Sequence, residues 1–255
     1  MFAVSKGAGP PVVLLHAFPL SGAMWNAQLR PLSRQARVIV PDLPGFGRSP
    51  RLATPSIAGM AQALARLLDD LDVREPAVVA GLSMGGYVAL EFWRQYPERV
   101  RALGLLSTRA GADSAPQRRT RAQLARDVRA HGVAPLARAM APKLVSPATR
   151  RRRPEVVRRL RWLMRANRPG GVADALSAMA QRRDSTPLLR RIRVPVLIVA
   201  GLDDAVIPVE EARRMRRAIR TAVLHVLPRA GHLLNLEQPA PVGRLLVRLT
   251  DRSGS

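Results

Sequence analysis

The chain has 255 residues, 47% of them apolar, enough for one sizeable core, so a single domain carrying one insertion is expected. It carries 42 Lys and Arg against 18 Asp and Glu, a formal charge of +24, and no cysteine, which excludes disulfides, thiolate nucleophiles and cysteine metal sites together. No apolar run approaches the roughly 20 residues that span a bilayer, and the first residues, MFAVSKGAGPPVVLLHAFPL, lack the cleavage site of a secretory signal, so a soluble, cytoplasmic protein is expected.

Residues 11–16 (PVVLLH) and 36–41 (ARVIVP) are short apolar runs of the kind that form strands buried on both faces. From Ser56, a plausible N-cap, the residues Ile57, Met60, Ala61, Leu64, Leu68 and Leu71 recur at helical spacing. Residues 77–81 (AVVAG) and 100–106 (VRALGLL) read as two further strands, with a helical segment between them that runs to Pro97. Residues 109–184 then break the alternation, being helix-prone, rich in arginine and punctuated by proline, and are read as a helical cap inserted into a core of 1–108 and 185–255. Leu136, Met140, Leu144 and Trp162 are its candidate pocket walls, with Trp25 from the core. The run Arg150, Arg151, Arg152 and Arg153 is expected to be an exposed helix start or loop. Strand-like runs at 194–200 and 223–227 follow, then a helix with Val242, Leu245, Leu246 and Leu249 on one stripe, and a frayed tail at 251–255. This alternation predicts an α/β fold, a mostly parallel central sheet with helices on both faces, whose reactive groups gather at the carboxyl ends of the strands.

The excess charge is almost all arginine, since Lys6 and Lys143 are the only lysines. Such a field attracts polyanions nonspecifically at low salt. No recognition helix, zinc-finger spacing or aromatic platform accompanies it, so no specific nucleic-acid partner is expected.

Gly81-Leu82-Ser83-Met84-Gly85-Gly86 follows a strand and opens a helix, the setting in which Gly-x-Ser-x-Gly forms a nucleophile elbow. A neutral serine is a poor nucleophile and needs a base. Of the four histidines, His232 in Ala-Gly-His, after a strand and before the last helix, is preferred. His225 lies within a strand, His131 within the cap, and His16 at a strand end where shaping a loop is its expected task. The acid that orients the imidazole is sought at Asp203 or Asp204, after the strand VLIVAG, and Asp204 is preferred. The order Ser83, Asp204, His232 is that of hydrolases with this elbow. Oxyanion donors are expected from the backbone N–H groups of Met84 and, in the loop after the first long strand, Phe18.

Taken together, His16-Ala17-Phe18-Pro19, Pro41-Asp42-Leu43-Pro44-Gly45-Phe46-Gly47-Arg48-Ser49, Gly81 to Gly86, Gly201-Leu202-Asp203-Asp204 and Gly231-His232 resemble the α/β-hydrolase superfamily over essentially the whole chain outside the cap. Within it the chain is similar to small bacterial carboxylesterases, enol-lactonases and cofactor-free haloperoxidases or perhydrolases. The resemblance implies an eight-stranded, mostly parallel sheet. It also implies hydrolysis of a small-molecule ester or lactone with no metal and no organic cofactor. Acyl transfer to peroxide is the alternative within this site, and a catalytically silent scaffold that binds polyanions the alternative outside it. Two departures stand out: Ala17 occupies a position usually held by Gly, and the N-terminal segment is short, so an early strand is expected to be missing or reduced.

Overall fold

The structure, a computed structural model, describes residues 1–252. One sheet contains β1 (Ala3–Lys6), β2 (Pro11–Leu15), β3 (Arg37–Pro41), β4 (Ala77–Leu82), β5 (Val100–Leu106), β6 (Val196–Gly201) and β7 (Ala222–Leu227), in the order β1-β3-β2-β4-β5-β6-β7. Only β1 runs antiparallel to its neighbour; the other pairs are parallel. The described residues thus give seven strands where eight were implied, because a single strand precedes β2. β1 bears no apolar pattern: its sequence is AVSK, three of its residues are exposed, and it joins the sheet through its backbone.

Every residue of β2, β4 and β6 is buried, which is why these segments are unbroken apolar runs: both of their faces are covered. Ser56 caps the helix Ile57–Asp70 by accepting a hydrogen bond from the Gly59 N–H at 2.9 Å. Its buried stripe packs on the helix Met84–Gln95, while Asn26–Leu32 packs on the final helix Pro239–Arg252, in which Val242, Leu245, Leu246 and Leu249 are buried. That final helix takes in Asp251 and Arg252, so the frayed tail expected at 251–255 does not begin at Asp251. Gln35 Nε2 donates to the Asp251 carboxylate at 3.2 Å, and 253–255 lie outside the described residues. No helix among the described residues is long and apolar enough to cross a membrane.

The winding of the sheet fixes where a site can form. β3 and β1 extend from one side of β2, and β4 onward from the other, so the chain reverses its winding between β2 and β4. Such a switch point leaves a crevice at the carboxyl ends of the two strands. The loop after Leu15 and the turn after Leu82 both lie there, and the segment after Gly201 reaches the same edge through β5 and β6.

Between β5 and β6 the chain forms helices: Ala115–His131, Val133–Met140, Pro147–Arg152, Pro154–Arg165, Pro169–Ala180 and Thr186–Leu189. Pro147, Pro154 and Pro169 each begin a helix, where a missing N–H costs nothing. Arg150, Arg151 and Arg152 sit in a last helical turn, where cations complement the exposed carbonyls. Asn167 ties this region to the core, donating from Nδ2 to the Pro19 carbonyl at 3.0 Å and accepting from the Gly47 N–H at 2.9 Å. Asp113, its side chain fully buried, pairs with Arg109, Arg121 and Arg182. Burial pushes its carboxyl up, but the Arg121 and Arg182 guanidiniums outweigh this and hold it below the usual carboxylate range.

Asp113→Asn strands three guanidiniums without a counter-charge, and we expect the unfolding free energy in urea at neutral pH to fall by about 3–5 kcal/mol. Because the folded state depresses this acidity, the contribution is complete above the ordinary carboxylate range and is lost as pH falls through the folded value. The difference between wild type and variant should therefore shrink in acid. A pH-independent difference would show that the charge of Asp113 is not what holds the cluster.

Candidate active site

β4 ends at Leu82 and the next helix begins at Met84, so the whole reversal falls on Ser83, with φ 55° and ψ −112°. A positive φ costs an L-residue about 1–3 kcal/mol and persists only where its surroundings enforce it. Here the Ser83 N–H donates to the Leu106 carbonyl at 2.9 Å, and the Ser83 carbonyl accepts from the Gly86 N–H at 2.9 Å and from Thr108 Oγ1 at 2.9 Å. The turn is also tight: a Cβ at Gly81 would collide with the Gly85 carbonyl, and one at Gly85 with that of Leu15. Only glycine fits at either position.

His232 is 1% exposed, and its Nδ1 lies 2.8 Å from Asp204 Oδ2. The other carboxylate oxygen of Asp204 accepts from the N–H groups of Val206 and Ile207, at 2.8 and 2.9 Å. Asp203 instead turns its side chain to solvent while its N–H donates to the Ala230 carbonyl at 2.9 Å. With Nδ1–H given to a carboxylate, Nε2 is the ring nitrogen left with a lone pair. The histidine loop is anchored by Glu237, whose two oxygens accept from the Gly231 N–H at 2.7 Å and the Ser146 N–H at 2.9 Å. Sequence reasoning missed Glu237, Asn167 and Thr108, because each acts on backbone groups distant in the chain.

Ser83, His232, Phe18 and Tyr87 line one cavity of about 310 Å³. Of the pocket residues expected from sequence, Met140 lines it and the others do not. Trp25, Leu136 and Leu144 are packed in the core, the Leu144 carbonyl accepting from the Leu233 N–H at 2.9 Å, whereas Trp162 is 69% exposed. The helix that bears Trp162 buries Val157, Leu160, Leu163 and Met164, and Trp162 stands roughly 200° around from Leu160, a position legible from spacing alone. The opposite wall is the face of Ala115–His131 that carries Gln117, Thr120, Arg121 and Leu124, again at helical spacing.

The remaining histidines lie elsewhere. His131 is exposed at a helix end and His225 is half-buried in β7. His16 is fully buried; its Nδ1–H donates to the Ala17 carbonyl at 3.0 Å, and its Nε2 accepts from the Leu43 N–H at 2.9 Å. It therefore fastens the loop after β3 to the loop that carries Phe18. Asp42 completes that loop by accepting from the N–H groups of Gly22 and Arg48, at 2.8 and 3.0 Å. Ala17 is not among the residues of positive φ, so its methyl group brings no left-handed strain. Met84 heads its helix, where an N–H has no carbonyl one turn back to bond.

The chain belongs to the α/β-hydrolase family: the family model for the alpha/beta hydrolase fold matches residues 10–239. Within that family it is a hydrolase, similar over most of its length to enzymes that open lactones and cleave esters. It is 30% identical over 231 residues to 3-oxoadipate enol-lactonase 2 of Acinetobacter baylyi, covering 90% of this chain and 84% of that protein. A thermophilic esterase from Thermogutta terrifontis, solved with malate bound, matches with a TM-score of 0.97 at 40% identity, over 100% of this chain and 94% of its own. The enol-lactonase of Burkholderia xenovorans matches with a TM-score of 0.90 at 26% identity, over 98% and 96%.

Burial pushes the His16 imidazole down to about 4, against the opposing pull of its bond to Ala17 and of the Asp42 charge. An imidazole that is neutral when folded and basic when unfolded adds stability that is complete above about pH 6.5 and drains away as pH falls toward 4. We expect urea titrations to show this loss, on the order of 3 kcal/mol by pH 4, in wild type and not in His16→Gln. Parallel pH profiles for the two proteins would refute it.

Proposed function

We propose that this hydrolase cleaves small carboxylic esters or lactones through an acyl-enzyme on Ser83, with His232 as base, Asp204 as its orienting acid, and the N–H groups of Phe18 and Met84 as oxyanion donors. The observation that carries the reading is the 2.8 Å contact between His232 Nδ1 and Asp204, which leaves Nε2 for a cavity that Ser83 shares. Ser83 Oγ attacks the acyl carbon as its proton passes to Nε2. The tetrahedral oxyanion collapses and expels the alcohol, or the ring oxygen of a lactone, which takes the proton from the imidazolium. A water deprotonated by the same nitrogen then attacks the acyl carbon, releases the acid and returns Ser83 Oγ to its hydroxyl form. Binding of the oxyanion at the head of a helix adds the positive potential of that helix end.

Residues 109–184 act in this reading as the cap that sets substrate size, because Arg109, Met140 and Met179 wall the same cavity as Ser83. The enol-lactonase and esterase relatives support an ester or lactone as the bond cleaved.

Ser83→Ala should abolish turnover of a short-chain aryl ester and labelling by a fluorophosphonate, and His232→Ala should come close to it, each by about 10³-fold or more in kcat. Asp204→Asn should cost more than Asp203→Asn, whose side chain faces solvent. Full activity in Ser83→Ala would end the acyl-enzyme reading, and equal losses at the two aspartates would remove Asp204 from its role. Peracid formation measured beside hydrolysis on one acyl donor separates water from peroxide as the acceptor.

A further inference from the structure

Acyl transfer leaves two cavity-lining cations without a task. Arg109 and Arg121 share the wall with Ser83 and His232, and each gives one guanidinium nitrogen to Asp113, Arg109 from Nη2 and Arg121 from Nε. Arg182 Nη1 reaches the same carboxylate at 2.7 Å. Three guanidiniums thus surround one carboxylate, and among the described residues none of the three has a second carboxylate within 4.0 Å, so two positive charges remain in excess.

The three are not equivalent. Arg182 is occupied by the fold: its side chain is 3% exposed, it donates to the Met179 and Gly111 carbonyls at 2.8 and 2.7 Å, and its guanidinium lies 4.1 Å over the Tyr87 ring. Arg182 therefore answers the charge of Asp113 in the interior. Arg109 and Arg121 keep 17% and 21% exposure, and among the described residues neither Nη1 of Arg109 nor Nη2 of Arg121 meets an acceptor. No acidic side chain lines the cavity among the described residues, and Asp204 behind it is committed to His232. The helix Ala115–His131 also begins here, with Pro116 and Gln117 in the wall, so its N-terminal potential adds to the guanidinium charge.

We propose that the substrate is an ester or lactone bearing a second, ionised carboxylate, and that Arg109 and Arg121 hold this group while Ser83 attacks the acyl carbon. The assignment rests on the serine-hydrolase reading above for its chemistry. A carboxylate has one oxygen for each of the two unpartnered nitrogens, Arg109 Nη1 and Arg121 Nη2, and one such group cancels half of the excess charge in the wall.

The test compares the para-nitrophenyl monoester of adipic acid with an uncharged isostere in which an isopropyl group replaces the carboxylate. Wild type should favour the charged ester by about tenfold or more in kcat/KM, and Arg109→Gln and Arg121→Gln should each lower that ratio toward one. Equal kcat/KM for the two esters in wild type, or a ratio unmoved by both substitutions, overturns the proposal. Should either glutamine variant fail to fold, Arg109→Lys and Arg121→Lys keep the charge but lose the planar fork, and the ratio should fall in them too. Adipate binding followed by calorimetry reads the same contact without turnover: affinity should drop about tenfold in the variants and weaken with added salt, and equal affinities count against the site. If Ser83 reacts with fluorophosphonate and both esters are cleaved alike, the carboxylate assignment fails alone. If Ser83 is inert and neither ester is cleaved, the hydrolytic reading fails, and the adipate titration decides the anion site by itself.

Discussion

The geometry of the cavity depends on one backbone constraint, a strand that becomes a helix across a single residue. Ser83 adopts φ 55° because its N–H is bound to β5 and its carbonyl to the next helix and to Thr108, so no softer conformation keeps those bonds. The strain is compensated by the stiffness of the parallel sheet on both sides, since β2 and β5 flank β4 and all three are buried apart from Arg101. Close approach follows as a corollary. Gly81 and Gly85 are glycine because the helix must start almost in contact with β4 and β2, and that contact presents Ser83 at the switch point and not beneath it.

The histidine lies in the short loop between β7 and the helix Leu234–Glu237, and its placement has a different source. Glu237 accepts from Gly231 on that loop and from Ser146 in the helical region between β5 and β6, so one buried carboxylate holds both backbones. Gly231 in turn packs against Val145 and Ser146 too closely for a side chain. On the opposite rim, Asn167 bonds the carbonyl of Pro19 and the N–H of Gly47. The loops at the carboxyl ends of the strands and the helices between β5 and β6 are therefore cross-bonded through both Glu237 and Asn167. A displacement of those helices must strain the loops that bear Phe18 and His232.

What could be read in the sequence was what repeats locally. The buried strands show as apolar runs, the helix after Ser56 as a stripe with a cap, and the elbow as glycines around a serine, because each is enforced by neighbours within a few residues. β1 left no trace, since an edge strand joined through its backbone needs no apolar side chain. The pocket was misread for a similar reason. Residue type suggested Trp25, Leu144 and Trp162, yet whether a large side chain meets a cavity, the core or solvent depends on how each helix is rotated against its neighbours. For Trp162 the rotation was available from the buried positions around it; for Trp25 and Leu144 it was not, because their burial is made by distant segments. Glu237 and Asn167 were silent because their partners are backbone groups, which look the same in every sequence.

Arginine shows the limit most clearly. In a chain of 42 basic residues no arginine stands out by type or by spacing, and its surplus charge looks like surface everywhere. The fold separates them by what they are bonded to. Burying a guanidinium is tolerable when a carboxylate meets it, and Asp113 can balance one such charge in the interior, which is the position Arg182 holds. The two surplus cations of that cluster are placed where burial is incomplete, on the wall beside Ser83, each with one terminal nitrogen that meets no acceptor among the described residues. An unbalanced charge is cheapest in open solvent. Their retention at the edge of a small cavity instead, next to an acid that anchors them, keeps the local potential positive whether or not a substrate is present. The field at the site is thus built into the folded chain and does not wait for an anion to arrive.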